Sequence, residues 1–455
     1  MLSYVKQIDI FRLDSFFYLK RFLFAENNIN KLQTDCLHNL CSSILSFGAY
    51  SLNNYVNYKS EGIPFIRGVN MKNGVLDFSD VIYIDECAHK LLWKSEVKPE
   101  TILLSMSGTI GDVAIAMPYY QYPMNSNQDI AKLRVNKRIN VYYLYVFLLS
   151  KYGQDYLIRE ARGSVQQHVF LSQMEKFVIP IFSQSFQLQI EQMVKSAHAK
   201  LDESKRLYTE AENQLLDELG LKNWQPKNEN INIKTFSESF LSSGRLDAEY
   251  YQSKYDELFA KLSNYQCTKL GKIGTFCNGS LISDNFYVAK SNRAYLRIKE
   301  LSFKEPINDE AVVYISDSFK TQNETIVLEN DFIIATIGNT IGKVNIITKK
   351  YDGSFISNNT SRFRLNNKNS VFPYYELLLR SPIVQLQIEK EFTQTAQPKI
   401  SNSSLENIIV PIVSEETQFN IAHIIQKSFV LKKESKSLLE QAKIMVENEI
   451  EKGGE

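Results

Sequence analysis

The chain has 455 residues, enough for two to four domains with cores of their own, and its 44% hydrophobic and 23% charged content excludes a disordered polyelectrolyte. A net charge of +1 singles out no class of partner, and the most apolar run, Val141 to Leu149, is far too short to span a bilayer. Five cysteines (Cys36, Cys41, Cys87, Cys267, Cys277) form no CxxC pair and the N-terminus carries no signal pattern, so neither a disulfide framework nor a zinc site is indicated and a cytoplasmic chain with reduced thiols is expected.

In chain order, Arg12 to Phe22 has helical spacing with aromatics on one side. Strand candidates follow at Ile63–Val69, Val81–Ile84, Ile102–Met106 and Val113–Met117, short, β-branched and punctuated by Gly, Asn and Pro. Val141–Ser150 reads as a short helix buried on most sides. From Gln184 to Gly220 the pattern is one long amphipathic helix. Phe186, Ile190, Met193, Ala197, Ser204, Tyr208, Ala211 and Leu215 recur at helical spacing, and Leu188, Val194, Leu201, Leu207 and Leu219 widen the stripe. Gly220 is its stop signal. Residues 220–243 are polar and irregular and read as a linker. A second helical stretch, Arg245–Leu258, opens the other half, with strands expected at Ala294–Ile298, Val312–Ile315, Phe332–Thr336 and Val344–Ile347 and a short helix at Tyr374–Arg380. Glu415 to Lys452 forms a second long helix, with Ile421, Ile424, Ser428, Ser435, Leu438, Leu439, Ala442, Val446 and Ile450 on one face. A stripe on the order of 50 Å long needs a partner, and the two helices are expected to supply each other with one.

The halves are copies. Glu203-Ser204-Lys205 recurs 231 residues later as Glu434-Ser435-Lys436, and the same shift relates Thr109-Ile110-Gly111 to Thr340-Ile341-Gly342 and Ser126-Asn127 to Ser357-Asn358. It also relates Gln166 to Gln397, Ile179-Pro180-Ile181 to Val410-Pro411-Ile412 and Gln187 to Gln418. Nearer the start of each copy, Arg12-Leu13-Asp14 returns as Arg245-Leu246-Asp247 at a slightly different offset. A constant offset through separate segments marks a tandem duplication, each copy a globular part of mixed strand and helix followed by a long helix. The long helices carry net charges of −3 and −2, leaving +6 on the remainder, a distribution that suits a polyanion on the globular parts and protein contacts on the helices.

Several residues could touch nucleic acid. Ser107, Thr109, Asn339 and Thr340 belong to Gly-rich turns that read as tight hairpins; neither turn has the spacing of a phosphate-cradling GxxxxGK[ST] loop. Gln166 and Gln397 precede the strand entering each long helix, and a repeated glutamine fits backbone contact or scaffold better than base choice, because base readers should differ between copies. Lys59, Arg67, Lys72, Lys90 and Lys94 in the first copy, and Lys290, Arg293, Arg297, Lys299 and Lys343 in the second, lie near strand ends and are candidates for phosphate contact. The Arg-Leu-Asp repeat reads as an internal ion pair or docking contact rather than as a metal-binding carboxylate.

The ordered set of motifs resembles the specificity subunit of Type I restriction–modification systems. It comprises GIPFIRGVNMKNG, HKLLWKSEVKP leading into ILLSMSGTIG, SNQDIAKLRV and RGSVQQHVFLSQMEKFVIPI, then YLRIKEL, FIIATIGNTIGK, ISNNTSRFRL and TAQPKISNSSLENIIVPI, with ELGLKNW between the copies. The likeness covers nearly the whole chain. It implies an α+β fold with pseudo-two-fold symmetry: two globular α/β target-recognition domains (1–182 and 244–412) joined by long helices (183–222 and 413–455) packed as an antiparallel coiled coil, with a linker at 223–243. The coiled-coil and partner face would consist of Ile190, Met193, Ala197, Tyr208, Ala211, Leu215, Ile421, Ile424, Leu438, Ala442 and Val446. The function implied is recognition of a bipartite, asymmetric target in double-stranded DNA, with two modification (methyltransferase) subunits and restriction subunits as partners. S-adenosylmethionine, ATP and Mg would belong to those partners, leaving this chain no cofactor and no metal.

The residues themselves carry no catalytic signal. His38, His89, His168, His198 and His423 have no counterparts under the 231 shift, and no GxSxG, [N/D]PP[F/Y] or PD-(D/E)xK pattern occurs. That weighs against a single-chain methyltransferase or nuclease. A stand-alone sequence-specific DNA-binding protein, or the recognition part of another restriction or methylation defence system, is the alternative from a different class.

Overall fold

The structure is a computed structural model that describes residues 14–47, 56–162, 167–226, 229, 231–319, 326–392 and 397–453. Two compact units divide it, one of residues 1–201 with 432–455 and one of residues 202–431, so each unit holds a globular part and half of each long helix.

The long helices run Gln184–Glu218 and Glu415–Lys452. Both start in the same way. Ser183 and Ser414 accept the amides of Phe186 and Thr417, while Gln187 and Gln418 each donate Nε2 to a carbonyl five residues back, Phe182 O and Val413 O, both at 2.8 Å. The first helix ends where Gly220 turns left-handed (φ +57°): its N–H bonds to Asp217 O and that of Leu221 to Leu216 O, satisfying carbonyls that the last turn leaves open.

Within the first unit, Ile190 and Val194 share a core with Ala442, Val446 and Ile450, and Lys200 Nζ meets Glu434 at 2.6 Å. Within the second, Ala211 and Leu215 share a core with Ile421 and Ile425, and Ser204 meets Ser428 at 3.1 Å. Partner numbers fall as positions rise, so the helices are antiparallel. Of the expected face, Ile190, Ala197, Ala211, Leu215, Ile421, Ala442 and Val446 are buried, and Met193, Tyr208, Ile424 and Leu438 half-buried. Leu188 does not widen the stripe: it is 45% exposed, as is its repeat partner Phe419 at 59%. Each directly follows the glutamine whose Nε2 closes the first turn, and both are exposed.

Among the described residues, each globular part carries two four-stranded sheets. In the first copy one is antiparallel, in the order Cys41–Leu45, Ile130–Val135, Thr101–Ser105, Val113–Ile115. The other runs Ile82–Ile84, Ile63–Ile66, Met124–Ser126, Glu96–Val97, with its middle pair parallel. The second copy repeats the antiparallel sheet with Gly274–Asn278, Thr360–Leu365, Phe332–Ala335 and Val344–Ile346, and repeats the parallel pair with Ala294–Leu296 beside Phe355–Ile356. A two-stranded ribbon closes each copy, Thr34–Cys36 with Val178–Pro180 and Cys267–Lys269 with Ile409–Pro411. Behind the antiparallel sheet lies a helix pair, Val141–Leu149 with Lys151–Glu160, and Phe372–Arg380 with Pro382–Glu391 in the second copy. The first helix of the former is apolar all round and accordingly buried on nearly every side.

Four expectations need correction. The stretch Arg12–Phe22 is not one helix: Arg12 and Leu13 lie outside the described residues, Asp14 accepts the amide of Phe17 in a turn, and the helix is Lys20–Asn30. Likewise Arg245 pairs with Asp247 and donates to Phe392 O, Ala248–Tyr251 is a 3-10 turn, and the helix begins at Ser253. The aspartate of the repeat thus serves the backbone or its arginine, competing with helix continuation. The linker also contains a short helix, Phe240–Ser243, ended by Gly244 at φ +71°. The expected strands are present, but several stop early: Ile63–Ile66 gives way to a 3-10 turn at Gly68–Asn70, where Asn70 Oδ1 takes the Arg67 amide.

Candidate nucleic-acid interface

Motifs far apart in sequence meet at one edge of each globular part. In the first copy, Asn127 N donates to Ile66 O at 2.9 Å, tying the Ser126-Asn127 loop to the strand that enters the Arg67 turn. Met106 N donates to Asp129 O at 2.7 Å, and Val169 N to Met106 O at 3.0 Å, adding the Thr-Ile-Gly turn and the loop before the long helix. In the second copy Ser357 N bonds to Leu296 O, Thr336 N to Asn359 O, Ile400 N to Thr336 O and Gly338 N to Pro398 O, each at 2.9–3.0 Å. The repeat preserved these backbone bonds, not merely the motifs.

The Thr-Ile-Gly turns are locked from behind. Gln154 Nε2 donates to Gly111 O at 2.9 Å and to Leu148 O at 2.8 Å; Gln385 Nε2 makes the same two bonds to Gly342 O and Leu379 O at the same distances. Gly111 and Gly342 have φ of +100° and +88°, and a Cβ on either would run into the glutamine carboxamide. Glycine is required there twice over. Nothing in the sequence patterns flagged these glutamines; their identical 231 shift was the available signal.

Side chains on this edge are not all presented as expected. Thr109 and Asn339 are exposed, and Thr340 is half-buried with Oγ1 3.4 Å from Ile337 O. Ser107 is buried, not exposed: its hydroxyl donates to Asp129 Oδ1 at 2.6 Å and holds the two loops together. Gln397 is exposed, whereas Gln166 lies outside the described residues.

The basic candidates divide by what already holds them. Arg67 donates to Asp80 O at 2.9 Å, and Arg297 spans the fully buried Glu300 and Ala311 O. Arg293 donates to Ser316 O and Phe319 O over the Phe355 ring. These three arginines brace turns. Lys59 pairs with Asp85 at 3.3 Å, Lys72 with Asp77 at 2.8 Å and Lys90 with Glu86 at 3.9 Å, pairs at the surface whose lysines are exposed and whose energetic weight is small. Partial burial opposes ionisation of Asp77, but bonds from Lys72 and Ser79 outweigh it and hold its pKa at about 2. Lys94 lies over Trp93, its ammonium 5.5 Å from the ring centroid. Lys290 and Lys299 are exposed and Lys343 half-buried, and none of the three has a side-chain partner among the described residues.

Behind the Ser126 loop is a buried amine. Lys132 is fully enclosed, donating to Ser126 Oγ and Ile130 O, each at 3.0 Å. Burial, then the neighbouring Arg134 guanidinium, pushes its pKa down to about 7. Arg362 stands at the matching place of the second copy's central strand and donates to Ile326 O at 3.1 Å. Among the described residues no group of three or more His, Cys, Asp and Glu side chains is placed to hold a metal ion, and no helix is long and apolar enough to cross a membrane.

The arrangement, two copies of one scaffold with the same loops tied together by backbone bonds in each, coincides with a family match. A model described as the Type I restriction modification DNA specificity domain matches residues 32–213 and again residues 263–441. Among solved structures, the Type-I restriction-modification system S subunit from M. genitalium is 14% identical, with 92% of this chain and 95% of that chain covered and a TM-score of 0.47. The HsdS subunit from Thermoanaerobacter tengcongensis is 11% identical, with 93% and 96% covered and a TM-score of 0.30. No curated protein matches the sequence.

Proposed function

The chain belongs to the Type I restriction modification DNA specificity family, and from that premise we propose that it is the non-catalytic recognition subunit of a Type I restriction–modification complex acting in the cytoplasm. Each globular part reads one half of a bipartite, asymmetric target in duplex DNA. The observation that carries this reading is a scaffold kept twice while its outward residues changed. The Gln154 and Gln385 locks and the loop-to-loop bonds are duplicated, yet the residue after the turn is Asp112 in one copy and Lys343 in the other. Same frame, different lining: that is what two readers of different sequences require.

The long helices dock two modification subunits, and restriction subunits complete the nuclease. In support, Leu188 and Phe419 occupy equivalent outward positions, one at the start of each helix, as two copies of one partner would need. S-adenosylmethionine, ATP and Mg reside on those partners. The test is an exchange. Strands Thr34–Cys36 and Val178–Pro180 pair with each other, so residues 37–176 leave and re-enter the scaffold at adjacent points. Replacing them with the equivalent part of another family member should change one half of the methylated target and leave the other half intact. A simultaneous change in both halves would refute the modular reading.

A further inference from the structure

The first globular part presents an aromatic and basic element whose residue types are not kept at the corresponding positions of the second copy's sequence. Asp85 Oδ1 caps the helix Glu86–Leu91 by accepting the Ala88 amide at 2.8 Å, and a 3-10 turn, Trp93–Ser95, follows. Its inner side is fixed. Ala88 and Leu92 are buried in a cluster with Phe47, Phe65 and Ile84. Ser95, fully buried, bonds to Leu92 O and to the side chain of Asn125, whose amide nitrogen also lies 3.0 Å from His89 Nδ1.

The outer side is the reverse of what a stable surface needs. Trp93 is 63% exposed and Leu91 42%, flanked by the exposed ammonium groups of Lys90 and Lys94. A rigidly held Trp–Leu pair between two cations matches the chemistry of duplex DNA, apolar atoms toward base edges or sugars and ammoniums toward phosphates. The element also adjoins the edge described above: Asn125 and Ser126, which hold it, end the strand that leads into the Asn127–Asp129 loop. Under the 231 shift, Trp93 and Lys94 fall on Glu324 and Thr325, and Leu91 on Gln322. Divergence at these positions is what base readers require, whereas the glutamine locks are kept.

We propose that Leu91 and Trp93, with Lys90 and Lys94 on adjacent phosphates, form a base-contacting element by which the first domain selects its half of the target. The proposal rests on the recognition-subunit reading and adds the residues that discriminate. The experiment maps methylated positions in DNA from cells expressing the full chain with its modification partner, comparing wild type with Trp93→Ala, Trp93→Phe and the pair Lys90→Gln/Lys94→Gln. Trp93 is mostly outside the core, and thermal unfolding of each purified variant checks that the fold is kept. Trp93→Ala should lower discrimination about tenfold or more at one or more positions of one half-site, with the other half and the spacer unchanged, and Trp93→Phe should restore most of it. The lysine pair should instead weaken DNA binding uniformly and reduce the slope of log affinity against log salt by roughly one to two. A folded Trp93→Ala variant with wild-type selectivity, or one relaxed in both halves, overturns the proposal while leaving the subunit reading in place. A wild-type chain that directs no bipartite methylation overturns both.

Discussion

Alanine at Gly342 should cost more than alanine at Gly338, four residues away in the same turn, by an amount set by one glutamine. Both glycines are left-handed, φ +88° and +76°, so each substitution incurs backbone strain of about 1–2 kcal/mol. At Gly338 the added Cβ meets nothing within 4 Å. At Gly342 it meets the carboxamide end of Gln385, which can swing aside but then gives up its bonds to Gly342 O and Leu379 O. At about 0.5–1.5 kcal/mol net per bond, Gly342→Ala should be destabilising by about 1–3 kcal/mol more than Gly338→Ala. The chain has two tryptophans, Trp93 in the first unit and Trp224 in the second, where it packs against the core. In a Trp93→Phe background, Trp224 fluorescence during urea unfolding reports the second unit alone. The difference should disappear when both are compared in a Gln385→Ala background, closing a double-mutant cycle. Equal losses at Gly338 and Gly342, within about 0.5 kcal/mol, would show that the glutamine does not lock the turn.

Replacing the outward pair, Leu188→Asp with Phe419→Asp, should leave unfolding nearly unchanged but weaken assembly with the modification subunit, read by analytical ultracentrifugation. Ser428→Leu should destabilise by about 1–3 kcal/mol, because Ser428 is buried against Ser204, with Oγ 2.7 Å from the Ser204 carbonyl, and a larger side chain there must displace its neighbours. Lys132 sets a pH dependence. Its folded pKa of about 7 lies below the ordinary lysine value of 10.5, so between those limits the unfolded chain holds the extra proton and stability rises with pH. Lys132→Met should flatten that rise relative to wild type in urea titrations from pH 6.5 to about 10, within the lysine range. Purified chain alone should bind no S-adenosylmethionine in calorimetry; saturable binding would contradict the assignment of the cofactor to a partner.

The long helices were legible because a stripe with three- and four-residue spacing leaves few structural alternatives, and the duplication because one shift recurs through separate segments. Outward Leu188 was misread since leucine at nearly the right phase cannot be told from core by spacing alone. The sheets were legible only as short strands. Their pairing, such as Ile63–Ile66 beside Met124–Ser126, joins segments about sixty residues apart and depends on contacts that no local pattern encodes. At the candidate interface, the Gly-rich turns and the repeated Ser-Asn announced themselves, but their convergence did not. Arg67, Arg293 and Arg297 read like phosphate ligands in sequence because an arginine bracing a turn and one awaiting a phosphate look the same until the carbonyls and Glu300 around them are placed. The inward turn of Ser107 likewise depends on Asp129, twenty-two residues away.

The most direct test of the central claim is to express the chain with its modification subunit in a host lacking other methylation and to map every methylated base. The account predicts methylation at one bipartite motif, two unlike half-sites separated by a fixed unread gap, and none when either subunit is omitted. Methylation at a single continuous motif, or methyl transfer by this chain alone, would contradict it.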